Sequence, residues 1–302
     1  QKIAGDIDFG DACQYIGKQA FAYNYLLDSV SFGASMRTID TEAFLSARPD
    51  YVYFSEGLLE ISGGAFKSTY IKELNLPSTL INIGPSAFAS TTQIQPSNGL
   101  VLPFDLEVLG DNAFDFSNIG GTLEFNNILT TLGAYTFRYN NFNNDGIDFR
   151  NISSIGNYCF VANDFIGALD LTTIQQIGNN AFQSCQSLTS LVLPVGISSQ
   201  DYGNNVFVDC SSVSGTNLKE TQINYINNST FQGCKDYSYE PDFLPSSCSG
   251  IGNYAFEDCG NYDNTLPPFS QRYTEVKIPS GIKYIGTGCF MNNSIVRELV
   301  FE

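Results

Sequence analysis

Any chemistry in this chain has to proceed without imidazole. There is no histidine among its 302 residues, so neither a Ser-His-Asp nor a Cys-His nucleophilic site can be assembled within it, and His-ligated metals are excluded. Carboxylates remain, with 31 Asp plus Glu. Glu124, Asp148 and Asp170 each stand at the centre of an apolar-x-apolar triplet: Leu123-Glu124-Phe125, Ile147-Asp148-Phe149 and Leu169-Asp170-Leu171. In a strand with one buried face, the middle residue points outward. Stacked in register, these carboxylates would lie about 4.8 Å apart per step. They would repel one another unless a cation or a basic group lay against them, which makes a Ca²⁺ site or an Arg/Lys-rich ligand physically reasonable. The same row is also what a solvated face of an acidic protein looks like. A third use is acid–base work on a glycosidic bond by Asp148 and Asp170, as in a carbohydrate-active solenoid enzyme.

The eight cysteines are the other reactive groups: Cys13, Cys159, Cys185, Cys210, Cys234, Cys248, Cys259 and Cys289. No pair has C-x-x-C spacing, and without histidine a zinc site is not expected. Cys185, Cys210, Cys234 and Cys259 each follow a recurring phenylalanine by three residues. Such positional equivalence suggests a core column of free thiols packing as small hydrophobes, the more so because other repeats fill the column with Ser or Asn. Disulfides between stacked equivalents stay open as an alternative, since the neighbours would be within bonding range.

The elements that must carry these groups are repeats. The anchoring phenylalanines are Phe21, Phe44, Phe66, Phe88, Phe114, Phe137, Phe160, Phe182, Phe207, Phe231, Phe256 and Phe290, with a period of about 23 residues, which is one turn of a solenoid. Four residues before the anchor stands Gly (Gly17, Gly84, Gly110, Gly133, Gly156, Gly178, Gly203, Gly252, Gly286), replaced by Asp40, Ser62 and Asn227 in the remaining turns. This predicts a corner with positive φ. The residue before the corner is always apolar or aromatic, from Ile16 to Ile285, and is expected to point inward. Triplets such as Val52-Tyr53-Phe54, Leu74-Asn75-Leu76, Leu100-Val101-Leu102 and Leu191-Val192-Leu193 predict short strands. Pro77, Pro103, Pro194 and Pro279 end four of them. No single turn buries its own apolar side, so the core exists only through stacking.

The pattern L-x-x-L-x-L-P-x-x-I-x-x-I-G-x-x-A-F-x-x-C resembles the BspA-type leucine-rich repeat of bacterial and protozoan surface proteins. Leu169, Ile174, Ile177, Gly178, Ala181, Phe182, Cys185, Leu188, Leu191, Leu193 and Pro194 carry it nearly whole, and the likeness extends over residues 1–302 as a single domain. The resemblance implies a leucine-rich-repeat right-handed superhelix of about twelve to thirteen units, with short parallel strands and little helix. It implies a binding platform or adhesin for host or microbial proteins, with no catalytic residues and no cofactor. Irregular units are expected near 30–70 and 211–275, and a partial unit at 295–302 whose exposed core a further segment or a partner would cover.

Two long insertions follow Cys234 and Cys259. Their rings, Tyr237, Tyr239, Phe243, Tyr262, Phe269 and Tyr273, form a candidate aromatic contact for a protein or glycan; the alternative is that they cover a bulge in the core. A net charge of -17 disfavours nucleic acid and anionic membrane surfaces. There is no apolar run of membrane-spanning length. The chain starts at Gln1 without a leader-like segment, and its surface is rich in neutral polar side chains. We therefore expect secreted or cell-surface residence, with an extracellular protein or glycan as partner; a rigid spacer is the bland alternative.

Overall fold

The computed structural model describes residues 3–91, 99–143, 145, 147–260, 274–293 and 295–302. The chain divides into two compact units, Gln1–Asn144 with Asp148–Ile152, and Asp145–Ile147 with Ser153–Glu302. Both are stacks of short parallel strands, and the repeat amounts to a β-solenoid of about twelve turns. Among the described residues the one helical element is the single 3₁₀ turn Leu218–Glu220.

Two ladders run through each stack. In the first unit, the two-residue strands Tyr15–Ile16, Thr38–Ile39, Glu60–Ile61, Asn82–Ile83 and Val108–Leu109 form one five-stranded parallel sheet, with the inward column Ile16, Ile39, Ile61, Ile83, Leu109 in register. The second ladder contains Ala4–Asp8, Leu26–Ser31 and Tyr51–Tyr53, then Leu100–Val101 with Leu123–Glu124. The second unit repeats the scheme with Ser154–Ile155 against Gln176–Ile177 and with Gly167–Asp170, Leu188–Val192 and Gly215–Thr216.

The phenylalanine column forms the core. Phe44, Phe66, Phe88 and Phe114 are fully buried and stack with ring centroids 5.2–5.5 Å apart. In the second unit Phe160, Phe182, Phe207, Phe231 and Phe256 do the same at 5.3–5.9 Å. Each such aromatic contact contributes about 0.5–1.5 kcal/mol beyond the area it buries. The anchor N–H donates to the carbonyl of the residue before the next anchor, as from Phe44 to Ala65 at 2.8 Å and from Phe66 to Ala87 at 2.8 Å.

The corner glycines are not where φ turns positive. Left-handed backbone instead occurs two residues before and two after the anchor, at Ser86 and Ser90 (φ 56 and 60) around Phe88 and at Asn180 and Ser184 (φ 58 and 60) around Phe182. What the glycines supply is close approach between turns. A Cβ on Gly178 would lie 2.5 Å from Asn157 N, and one on Gly286 would lie 2.4 Å from Asn253 N. At Gly17, whose turn has none before it among the described residues, the nearest atom would be 3.7 Å away.

The strand expectations hold with differences in both directions. Leu74–Leu76 and Ile147–Phe149 are not strands, whereas Gly120–Gly121, Asn141–Phe142 and Leu26–Ser31 are strands that the triplet pattern overlooked. In Leu26–Ser31 the buried residues Leu27 and Val30 are three apart and face Gly5 and Ile7, which are two apart, so a bulge breaks the alternation. Near 30–70 the strands Thr38–Ile39, Glu60–Ile61 and Asn82–Ile83 pair in register, and at the Asp40 corner the Thr41 N–H donates to Asp40 Oδ1 at 2.6 Å. Near 211–275 the described pairing on the second ladder thins to Gly215–Thr216.

Candidate binding surfaces

The three acidic positions are exposed, Glu124 and Asp148 in the first unit and Asp170 in the second. In the first unit Glu124 stands opposite the exposed Val101. Asp148 accepts the Arg150 N–H at 2.9 Å and pairs with its guanidinium at 3.7 Å. In the second unit Asp170 accepts the Thr172 N–H at 2.9 Å, the contact that Asp8 makes with Gly10 N. These are Asx turns, and those at Asp8 and Asp170 end strands. Asp148 and Asp170 thus each hold their own turn, and among the described residues no three Asp, Glu or Cys side chains come together to hold a metal ion. A Ca²⁺ ion held by Glu124, Asp148 and Asp170 would need the three carboxylates to converge, and no such group occurs among the described residues.

The aromatic insertion also reads differently in three dimensions. Tyr237, Tyr239 and Phe243 are 2–6% exposed. Tyr237 packs 5.5 Å from Phe231, and Phe243 packs edge-on 5.2 Å from Phe256. The Tyr237 hydroxyl bonds Thr216 Oγ1 at 3.1 Å and the Tyr239 hydroxyl accepts from Asn293 Nδ2 at 2.6 Å. Burial pushes both phenols up. The extra residues supply core beside the anchors, so these three rings are not a contact surface. Tyr262, Phe269 and Tyr273 lie outside the described residues.

All eight cysteines are free, and all but Cys13 are buried. The column thiols satisfy backbone carbonyls of the anchor one turn earlier: Cys185 to Phe160 at 3.2 Å, Cys210 to Phe182 at 3.1 Å, Cys234 to Phe207 at 3.3 Å and Cys259 to Phe231 at 2.9 Å. Ser117 and Asn140 do the same for Phe88 and Phe114, at 2.6 and 2.8 Å. A ladder of carbonyl partners, with no metal or redox chemistry, explains why Cys, Ser and Asn interchange there.

Sequence reasoning looked for acids and passed over two surfaces. On the strand Tyr51–Tyr53, the outer residues Tyr51 and Tyr53 are 41% and 57% exposed with rings 6.2 Å apart, while Val52 between them is buried. They adjoin Ser29 and Ser31, and Ser31 in turn adjoins Asp8. Lys72 pairs with Asp50 at 2.6 Å and sits 5.7 Å from the Tyr51 ring centre. The signal was present in the middle residue of Val52-Tyr53-Phe54. A second surface, a groove in the second unit, is lined by the corners Gly156-Asn157, Gly178-Asn179 and Gly203-Asn204. Its signal was the Gly-Asn dipeptide recurring beside the anchors.

Comparison with known proteins fits this geometry. A search of curated proteins finds no match. Among solved structures, a leucine-rich repeat protein from Bacteroides ovatus is similar in fold, with TM-score 0.65 at 17% identity over 99% of this chain and 84% of that one. A leucine rich cell surface protein from Faecalibacterium prausnitzii gives TM-score 0.52 at 16% identity, covering 100% and 88%. The family model described as a BspA type leucine rich repeat region matches at 3–95, 96–199, 153–271 and 200–302, in six copies. With its phenylalanine anchors recurring through all of those spans, the chain belongs to the BspA-type leucine-rich repeat family.

Proposed function

We propose that this is a non-enzymatic binding protein, secreted or held at the cell surface, which presents outward strand side chains to an extracellular protein. The observation that carries this reading is the exposed pair Tyr51 and Tyr53. The fold needs neither ring, since Val52 makes the core contact, yet both stand side by side on the sheet. Tyrosine provides contact area at low entropic cost. Asp28 lies on the adjoining strand, Asp6 and Asp8 on the one beyond it, and Glu73 bridges to Tyr51 on the other side, and the net charge of -17 steers a partner with a basic patch. Glu124 and Asp148 in the first unit, and separately Asp170 in the second, are proposed as further contact positions. The cell-surface description of the Faecalibacterium neighbour supports the location.

The test is a binding screen against immobilised extracellular matrix proteins, with two variants alongside: Tyr51→Ser/Tyr53→Ser and Glu124→Gln/Asp148→Asn/Asp170→Asn. Binding of the wild type to at least one basic matrix protein is expected, weakening with salt, and reduced in both variants without a change in Tm. If the wild type binds none of the panel, or both variants bind as the wild type does, the reading fails.

A further inference from the structure

The groove in the second unit has a volume of about 600 Å³, within the ordinary range for small-ligand sites. Its floor is bare backbone, because the corner glycines Gly178 and Gly203 have no room for a Cβ. Its rim is made of amides and hydroxyls, and Asp201 is the single charged side chain among its lining residues. Ile155, Ile177 and Tyr202 border it but are 2–4% exposed, so there is no apolar wall.

The amides are pre-oriented. Asn157 Oδ1 accepts the Asn179 N–H at 2.7 Å, Asn179 Oδ1 that of Asn204 at 2.8 Å, and Asn204 Oδ1 that of Asn228 at 3.1 Å. A backbone donor on each Oδ1 fixes which end of the amide is nitrogen. Each Nδ2 then makes no other hydrogen bond among the described residues, giving one donor per turn, about 4.8 Å apart by strand spacing. Gln176 and Gln200 add donors and acceptors on the rim. Asp201 accepts Ser198 Oγ at 2.7 Å through Oδ2, leaving Oδ1 as an acceptor.

We propose that this groove binds a short neutral glycan. Periodic donors, scattered acceptors and a side-chain-free floor suit a flat chain of hydroxyl-bearing rings, and an extended 1,4-linked saccharide advances by a length close to the strand spacing. A peptide would find no pocket for its side chains. Anionic glycans would meet Asp201 and the protein's own negative field. The site is separate from the tyrosine pair on which the protein-binding reading rests.

The experiment is calorimetric titration of the whole chain with cellohexaose, maltohexaose, mannohexaose and xylohexaose, with a heparin-derived hexasaccharide as the anionic control. Three variants are titrated beside it: Gln176→Ala/Gln200→Ala, Gln176→Trp and Tyr51→Ser/Tyr53→Ser. At least one neutral probe is expected to bind. The alanine pair should weaken it tenfold or more, Gln176→Trp should abolish it by filling the groove, and the tyrosine variant should bind normally, with melting curves showing all variants folded. Binding to none of the neutral probes, equal or tighter binding of the heparin fragment, or unchanged binding in the alanine pair would overturn the proposal. Loss of matrix-protein binding in the tyrosine variant would not touch it.

Discussion

The thiol of Cys210 donates to the carbonyl oxygen of Phe182 at 3.1 Å, across one turn of the repeat. That bond decides what the cysteine column is for. A turn in this solenoid leaves the anchor carbonyl inside the stack, where Phe182 O accepts the Cys185 N–H at 3.3 Å as well as the Cys210 thiol, and each such bond contributes about 0.5–1.5 kcal/mol. Cys210→Ser, which keeps a donor of the kind Ser117 already supplies, should shift stability by less than about 1 kcal/mol. Cys210→Val, which fills the space but offers no donor, removes one of that carbonyl's two bonds and should cost about 0.5–1.5 kcal/mol in chemical denaturation. Equal costs for the two would show that packing alone governs the column.

The same burial makes the thiols inert in the fold. All eight are free, and only Cys13 is other than buried. A thiol reagent should therefore modify at most Cys13 in the native protein and all eight cysteines in denaturant. Fewer than eight in denaturant would mean that some of the cysteines are paired as disulfides.

Alkaline pH should expose a linked instability. Desolvation pushes Cys185, Cys259 and Cys289 up to about 12 from an ordinary 9.0. Unfolded chains therefore ionise first as pH rises, so the contribution of these groups is whole below about 9 and is lost progressively toward about 12. Denaturation midpoints measured across that window should fall, and replacing Cys185 and Cys259 by Ser should flatten the fall. Because buried tyrosines such as Tyr237 are pushed the same way by burial, part of the slope should persist in the double variant.

How much of this was legible beforehand depended on whether a residue's job repeats. Phe182, Ile177 and Gly178 recur at fixed spacing because every turn needs them, so the solenoid and its inward columns could be read directly. The reason for Gly178 could not. A glycine at a corner signals either positive φ or close approach, and only the distance to Asn157 N tells them apart. The site was harder still. Asp148 and Asp170 looked like a row of free acids, yet each closes its own turn through a bond two residues along the chain. Tyr239 looked like an exposed loop ring, and it is core because an insertion in a solenoid can fold inward as well as out. Tyr53 was missed because a single outward position carries no periodic signal, and the amide groove because the recurring Gly-Asn corners read as scaffold alone.

Arg138 is a strut for the first unit. It makes two hydrogen bonds to Asp115, both at 2.8 Å, and its guanidinium lies 4.6–5.5 Å from the ring centres of Phe116, Tyr135 and Tyr139. Phe116, Tyr135 and Tyr139 hold φ between 53 and 60, strained for bulky residues. Arg138→Lys should lose about 1–3 kcal/mol, since an ammonium can neither bond bidentately nor stack. A lysine variant as stable as wild type in thermal melts would assign the strut to the stacked Phe116–Tyr139 pair alone, whose rings are 4.3 Å apart.

The two kinds of turn position can be separated by opposite substitutions in the second unit. At Gly178 the backbone is ordinary, but a methyl group would meet Asn157 N at 2.5 Å. Gly178→Ala must push one turn off the next and disturb the Asn157–Asn179 bond of 2.7 Å. Overpacking of this kind costs about 1–3 kcal/mol. Ala162 shows the reverse: it holds φ 54 while its N–H donates to Gln183 O at 2.8 Å. Left-handed backbone costs a non-glycine residue about 1–2 kcal/mol, and glycine gives back about 0.5–1 kcal/mol through its freer unfolded chain. Ala162→Gly should thus leave the protein as stable or up to about 1 kcal/mol more so. Urea midpoints of the two variants should move in opposite directions or, at the least, only Gly178→Ala should fall. If Ala162→Gly falls as far as Gly178→Ala, the corner is governed by contacts at both positions and the separation of φ from close approach is wrong.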